Sequence, residues 1–178
     1  YFAAGVPPEC LVIGGTGLGR EDDVCPSESR SGGSPSQFLL AQKVNLPVIL
    51  HCREAFDDLF ASIRRVGLSP RGGVMHCFTG NTEQALEAID LNLKISFSGI
   101  LTFKNAEGLR QTAAVLPEES LLIETDCPYL APIPFRGKPN EPAFLPMTAQ
   151  TLAAARGVSA EAMASLTAEN AIEFFQLK

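Results

Sequence analysis

Three apolar segments of the sequence each end in or beside a residue that could bind a metal ion: His51, His76 and Asp126. The two histidines are the only ones in the chain. In a parallel α/β protein, ligands and catalytic groups gather at the carboxyl ends of the strands. Two imidazoles and one carboxylate at three such positions predict a divalent-metal site for hydrolysis.

The predicted chemistry assigns a role to each residue. A hydrolytic metal centre needs neutral imidazoles or carboxylates as ligands and an open position for water, whose pKa falls from about 15.7 towards about 7. Asp126 is expected both to bind the metal and to accept the proton of that water, which makes it the candidate catalytic residue. Arg53, next to the His51 strand end, and Arg136 and Lys138 are candidate contacts to a substrate phosphate.

Each of these residues also has a purely structural explanation. A single histidine at a strand end is more often a hydrogen-bonded structural group than a ligand. Asp126 stands before Cys127 and Pro128 and could be an ordinary turn former. The segment 136–140 could be a solvated turn. The metal hypothesis therefore depends on three candidate ligands at equivalent strand ends, and on none of them alone.

Alternating strands and helices from residue 46 onward would position these residues. Short apolar runs bounded by turn signals are typical of buried parallel strands, and their alternation with helical patterns indicates βαβ units. The expected strands cover 47–52, 73–77, 93–98 and 120–125. The expected helices cover 54–66, a segment from 82 with Asn81 or Thr82 as its cap and Ala85, Leu86 and Ile89 facing inward, 105–115, 147–155, 160–166 behind Ser159, and 168–175 behind Thr167.

The segment 128–146 is rich in proline and cannot be regular helix or strand throughout. We expect it to form an extended loop that covers the cavity at the strand ends. Arg136 or Lys138 should lie near the rim of that cavity, and Asn140 and Glu141 should brace the loop. Asn140 is also a candidate substrate contact.

Bulk properties limit the class of protein. The 178 residues predict a single domain, and no apolar run reaches the roughly 20 residues that span a bilayer. Five cysteines without disulfide or metal-knuckle spacing favour a reduced, cytoplasmic location. The formal charge of −6 argues against a general electrostatic nucleic-acid binder, but not against an enzyme that holds nucleic acid through a metal and a few basic groups.

The amino-terminal part has weaker signals. Gly14 to Gly19 superficially resembles a phosphate-binding loop, but it lacks the Lys-Ser or Lys-Thr ending, so a flexible turn is the better interpretation. Residues 21–36 are polar and rich in serine and glycine, which predicts a flexible loop.

These same segments resemble the TatD family of metal-dependent deoxyribonucleases, which are amidohydrolase-like TIM barrels. The resemblance implies phosphodiester hydrolysis of DNA, commonly exonucleolytic, with Mg, Mn or Zn. It also implies that His51 and His76 bind metal and that Asp126 serves the metal site and water activation. The matching segments are LPVILHCREA (46–55), GGVMHCFTGN (72–81), LKISFSGILTFKNAEGLR (93–110), LLIETDCPYLAPIPFRGKPNEPAFL (121–145) and TAENAIEFF (167–175).

The amino-terminal third departs from the family pattern. Family members open with a strand that carries an HxH pair, which this chain lacks, and Gly15 stands where they carry a metal-bridging Glu. Tyr1 to Val6 looks like the third barrel strand, which predicts one amino-terminally truncated hydrolase domain with about six of the eight barrel strands. We therefore expect at most one bound ion, impaired hydrolysis and possible self-association through the open barrel edge. The alternative is a catalytically inactive remnant that binds at most one metal or acts as a binding module.

Overall fold

Residues 11–16 and 35–177 are described by a computed structural model, which shows a parallel α/β architecture. Its five strands form one parallel sheet in chain order: β1 (Leu11–Thr16), β2 (Val48–Arg53), β3 (Gly73–His76), β4 (Leu93–Phe97) and β5 (Leu121–Ile123). Its α-helices are α1 (Pro35–Val44), α2 (Phe56–Val66), α3 (Thr82–Asp90), α4 (Glu107–Val115), α5 (Leu145–Arg156) and α6 (Ala160–Phe175). Short 3-10 helices cover Gly99–Thr102, Glu118–Ser120 and Pro142–Phe144.

The strand and helix pattern predicted between residues 46 and 156 is confirmed, with small shifts at the ends. The predictions for the amino-terminal part are only partly correct. Gly14, Gly15 and Thr16 belong to β1, so the prediction of a flexible turn there is wrong for these residues. Helix α1 begins at Pro35, inside the predicted 21–36 loop. The rest of that loop and the proposed strand at 1–6 lie outside the described residues.

The carboxyl-terminal tail contains two helices where three were predicted. Helix α6 runs without a break from Ala160 to Phe175, so the predicted helix start at Thr167 is wrong. The Thr167 hydroxyl donates to the carbonyl of Met163 at 2.9 Å. A threonine hydroxyl can bond back to the preceding turn of its own helix, and it then caps nothing. Ser159 does cap α6, because its Oγ accepts from the Ala162 amide at 3.1 Å.

The hydrophobic core lies between the sheet and the helices. Phe60, Phe78 and Phe97 are almost completely buried in it. Of the two residues predicted to cap α3, Asn81 is the cap, since Asn81 and Gln84 form a reciprocal capping box. The predicted inward side of α3 is partly wrong: Ala85 is buried, but Leu86 is 43% exposed.

The free edge of the sheet at β5 is partly covered by a side chain of α6. Asn170 Nδ2 donates to the carbonyls of Glu118 at 2.7 Å and Leu121 at 2.9 Å. A side-chain amide thus satisfies carbonyl oxygens next to a strand that has no further strand neighbour among the described residues.

The helices of the described region are all too short or too polar to cross a bilayer. Cys52, Cys77 and Cys127 are free thiols in the same region.

Candidate metal centre

The strand register brings the two histidines together. His51 in β2 lies directly opposite His76 in β3, at the carboxyl ends of both strands. Their ring centroids are 5.8 Å apart. The prediction that these strand ends are adjacent is confirmed for this pair.

Two carboxylates from the segment after β5 hold the His76 ring. Glu124 Oε1 lies 2.6 Å from His76 Nδ1. Asp126 Oδ1 lies 3.4 Å from His76 Nε2. The structure therefore brings Asp126 to the histidines, as predicted, and it adds Glu124 on the other side of the ring.

Glu124 is the main site residue that the sequence analysis did not single out. Its Oε2 atom accepts a hydrogen bond from Ser96 Oγ at 2.6 Å. Its Oε1 atom is buried and accepts no hydrogen bond of good geometry within the described region, although His76 is at ion-pair distance. The available signal was its place directly after β5, because ligands gather at the carboxyl ends of parallel strands.

The two histidines have opposite electrostatic environments. Burial, together with the nearby His76, lowers the pKa of His51 below 6.5. Burial also disfavours the charged form of His76, but the close contacts and negative charges of Asp126 and Glu124 outweigh it and raise its pKa to about 10. At neutral pH, His51 is therefore neutral and has a lone pair to offer, whereas His76 is an imidazolium.

The adjacent cysteine is not a ready thiolate. Burial and the charge of Glu124 raise the pKa of Cys77 to about 12, against a smaller opposing effect of its hydrogen bond with Ser98. The Sγ and Oγ atoms of this pair are 3.2 Å apart. Because the thiolate is the nucleophilic and metal-binding form, Cys77 is a structural group at neutral pH.

The backbone turns sharply just beyond the strands of the site. Glu54, Cys77 and Asp126 have φ angles of 56°, 49° and 59°, in the left-handed region that most L-residues avoid. Such conformations persist only where the surrounding structure enforces them, and they cluster at functional sites.

A cavity of about 610 Å³ opens at these strand ends. His51, Arg53 and Asp126 are among its lining residues, so the predicted phosphate contact Arg53 faces the same space as two predicted ligands. The complete lining is His51, Cys52, Arg53, Glu54, Phe56, Cys77, Thr79, Gly80, Asn81, Gln84, Ile100, Asp126 and Leu130.

The proline-rich loop meets this cavity through Leu130. The bracing role predicted for Asn140 is confirmed: its Nδ2 donates to the carbonyls of Thr125 at 2.6 Å and Tyr129 at 2.7 Å, and its Oδ1 accepts from the Glu141 amide at 2.9 Å. Asn140 is buried, and both of its amide hydrogens are donated to these two carbonyls. Its predicted role as a substrate contact therefore has no free donor to support it.

The two basic residues of the loop are exposed and lie elsewhere. Arg136 and Lys138 are absent from the lining of the His51 cavity. The Arg136 guanidinium carbon lies 3.8 Å from the centre of the Phe103 ring. The Lys138 ammonium lies 6.0 Å from the centre of the Phe135 ring. Arg136 thus packs on Phe103, and neither cation reaches the lining of the His51 cavity.

The donor types of the centre fit a divalent metal, but their present arrangement does not. Two imidazoles and two carboxylates are close together, and these are donor types that divalent metals bind. However, no three His, Cys, Asp or Glu side chains of the described residues converge so that one ion could be held. Both ring nitrogens of His76 face carboxylates instead.

Comparison with known proteins identifies the family. The family described as TatD related DNase matches residues 6–176. The chain belongs to this TatD family. It is 41% identical over 167 residues to an uncharacterized metal-dependent hydrolase, YabD, of Bacillus subtilis, and the match covers 94% of this chain and 66% of YabD. It is 35% identical to the 3'-5' ssDNA/RNA exonuclease TatD of a Rahnella species, with coverage of 97% and 67%.

Solved structures confirm the TIM-barrel relationship. The crystal structure of YjjV, a TatD homologue from Escherichia coli K12, superposes with a TM-score of 0.75 at 36% identity, covering 80% of this chain and 54% of YjjV. A TatD-family hydrolase of Entamoeba histolytica shares the fold with a TM-score of 0.71, covering 80% of this chain and 55% of that protein. The chain spans between about half and two thirds of the length of these relatives. Its open five-stranded sheet is accordingly part of a barrel.

Proposed function

We propose that this chain is a metal-dependent hydrolase of phosphodiester bonds in DNA, with a centre that holds at most one divalent ion and works slowly. The observation that carries this proposal is the meeting of His51, His76 and Asp126 beside one cavity that also contains Arg53. The family and the exonuclease name of one relative support nucleic acid as substrate class and exonucleolytic action as the mode.

His51, His76 and Asp126 are the residues that would hold the ion, and Mg, Mn or Zn suit such imidazole and carboxylate donors. When bound, the metal would supply Lewis-acid activation of water and of a phosphate oxygen. The chain's own groups do the rest. Asp126 accepts the proton of the attacking water, and Glu124 keeps the His76 ring in place through Nδ1.

Arg53 supplies a positive charge at the cavity wall, where a phosphate would lie opposite the carboxylates. Arg136 and Lys138 lie outside this cavity and would contact the strand farther from the reacting phosphate. The free thiols agree with a cytoplasmic enzyme, which stays a prediction.

The second candidate is an inactive TatD-like remnant that binds one metal or serves as a binding module. Two observations favour it. No three-donor cluster exists among the described residues. Gly15, which lies opposite Cys52 in the sheet, offers no carboxylate to bridge two ions. Phosphodiester hydrolysis benefits from two ions about 3.5–4 Å apart, so losing the bridge predicts a severe loss of rate.

The deciding experiment measures hydrolysis of single-stranded DNA with excess Mn or Mg, beside a full-length TatD relative. A His76→Ala variant of this chain is the control against a contaminating nuclease. Slow turnover that disappears in His76→Ala supports the impaired enzyme. Turnover equal to that of the full-length relative, and lost in His76→Ala, would show that a bridging carboxylate at position 15 is dispensable. Identical rates for the wild type and His76→Ala would mean that the chain itself hydrolyses no DNA, and they would support the inactive remnant.

A further inference from the structure

A second cavity adjoins the histidine cavity. It has a volume of about 660 Å³ and lies between the amino-terminal ends of α3 and α4. The two cavities share the wall formed by Thr79, Gly80, Asn81 and Ile100. A ligand that extends along the strand ends can therefore occupy both at once.

The second cavity differs from the first in its chemistry. The histidine cavity contains His51, Glu54 and Asp126, whereas the second one has no ionisable lining residue among those described. It offers the ring of Phe103, the side-chain amides of Asn105 and Gln111, and the threonine hydroxyls of its walls. Its volume is within the range of about 300–1,000 Å³ that is usual for small-ligand sites.

The polar groups of this cavity are available to a ligand. Asn105 and Gln111 are exposed, and their amides form no hydrogen bond with the rest of the described chain. Thr82 and Thr112 join the two helices through their hydroxyls, which are 2.9 Å apart. The amides thus provide donors and acceptors above a wall that its own hydrogen bond stabilises.

Positive charge lies around this cavity and not within it. Arg136 packs on the Phe103 ring, and Lys104 follows Phe103 in the chain and is exposed. These two cations can contact a phosphate backbone that passes the rim. A neutral, flat group with hydrogen-bonding edges fits the interior, and an anionic backbone fits the rim.

We propose that the second cavity binds an unpaired base of a single-stranded DNA substrate, next to the phosphate held by the histidine cavity. This inference rests on the proposed function, because it takes DNA as the substrate class. An aromatic ring with nearby amides can stack on an unpaired base and read its edge, and stacking tolerates any base. A paired base inside a duplex cannot enter such a cavity. Phe103, Asn105 and Gln111 are thereby assigned to substrate positioning.

The test compares two fluorescein-labelled DNA hexamers by anisotropy, in EDTA so that hydrolysis plays no part. One is hexathymidylate, and the other is an abasic hexamer with the same phosphates. The chain should bind hexathymidylate at least about fivefold more tightly, as expected for one stacked base. Phe103→Ala should lose most of this preference. Because Arg136 loses the ring on which it packs, the affinity for the abasic hexamer reports any change in the phosphate contacts, and it should fall less than the affinity for hexathymidylate.

Matched variants separate the base contact from a folding defect. Phe103→Tyr keeps an aromatic ring and should keep the preference. Asn105→Ala and Gln111→Ala change only exposed amides and should each reduce it. Gln150→Ala alters an exposed amide of α5 outside both cavities and should leave it unchanged.

The outcomes also separate this inference from the proposed function. Equal affinity for both hexamers, an unchanged preference in Phe103→Ala, or no binding of either hexamer would overturn the base site, whatever the rate of DNA hydrolysis. A base preference that depends on Phe103 supports the site even if the chain hydrolyses nothing, in which case the enzyme proposal alone fails.

Discussion

Glu124 Oε1 lies 2.6 Å from Nδ1 of His76, on the side of the imidazole ring that faces away from the Asp126 contact at Nε2. A histidine that binds metal through one nitrogen is commonly fixed by a carboxylate at the other. Ser96 in turn holds the second oxygen of Glu124. The chain Ser96–Glu124–His76 therefore fixes the ring orientation from two neighbouring strands, and it gives Glu124 a positioning role.

The first prediction concerns Glu124→Gln. Its amide keeps the size of the side chain but removes the charge that orients His76. We expect the affinity for Mn to fall by about 10- to 100-fold, as for other carboxylates that support a metal-binding histidine. Titration calorimetry on folded protein measures this. Glu119→Gln, an exposed change near β5, is the control, and an equal loss there would contradict a specific role for Glu124.

The second prediction is a pH dependence of stability in metal-free protein. The folded pKa of His76 is raised from 6.5 to about 10, so its contribution to stability is complete below pH 6.5 and is lost as the pH rises towards 10. The slope should reach up to about 1.4 kcal/mol per pH unit in this window. His51 has the opposite sign: its lowered pKa means that stability is lost as the pH falls below 6.5. The two histidines together predict greatest stability near pH 6.5.

Urea denaturation from pH 5 to 10 measures this dependence. The difference between the wild type and His76→Gln isolates the contribution of one residue from the lysines and tyrosines that titrate at high pH. A difference that stays constant between pH 7 and 10 would show that His76 is not held as an imidazolium.

The third prediction links metal binding to proton release. Because His76 is an imidazolium at neutral pH, a metal can bind its nitrogen only after the proton leaves. We expect about one proton released per ion at pH 7, and an affinity that rises by about tenfold per pH unit up to pH 9. Calorimetry in two buffers of different ionisation enthalpy counts the protons. A binding enthalpy that is the same in both buffers would mean that no proton is released, and it would place the metal away from His76.

The strand ends of this fold were predictable because each strand is a short apolar run bounded by turn residues. That pattern predicts that His51 and His76 stand at the ends of neighbouring strands, and the register of β2 and β3 confirms it. Asn81 was predictable as a cap from local chemistry alone.

The remaining features depend on contacts between distant segments. Nothing local shows that Glu124 would reach both Ser96 and His76, since that depends on how β5 packs beside β4. The separation of Arg136 from the histidine cavity follows from its packing on Phe103, which the loop sequence does not reveal. The continuous helix α6 was missed because Thr167 has the residue type of a cap but uses its hydroxyl inside the helix.

The fourth prediction concerns the loop brace. Asn140→Ala removes the two hydrogen bonds that Nδ2 donates, one buried and one partly buried, and leaves the carbonyls of Thr125 and Tyr129 without that donor. We expect a loss of about 2–3 kcal/mol in the free energy of unfolding. Hydrogen exchange should become faster between Asp126 and Glu141 and stay unchanged in α2. Lys138→Ala, an exposed change in the same loop, should have little effect on either measurement.

The last prediction concerns the free edge at β5. Asn170→Ala removes the donor to the carbonyls of Leu121 and Glu118 and opens that edge to water and to other chains. Unsatisfied carbonyls should cost about 1–3 kcal/mol of stability. An exposed strand edge also invites pairing between copies, so the variant should self-associate at lower protein concentration than the wild type in sedimentation velocity. Glu169→Ala, an exposed neighbour on α6, tests whether any surface change has this effect. Unchanged sedimentation together with the expected stability loss would show that the edge is protected by something other than Asn170.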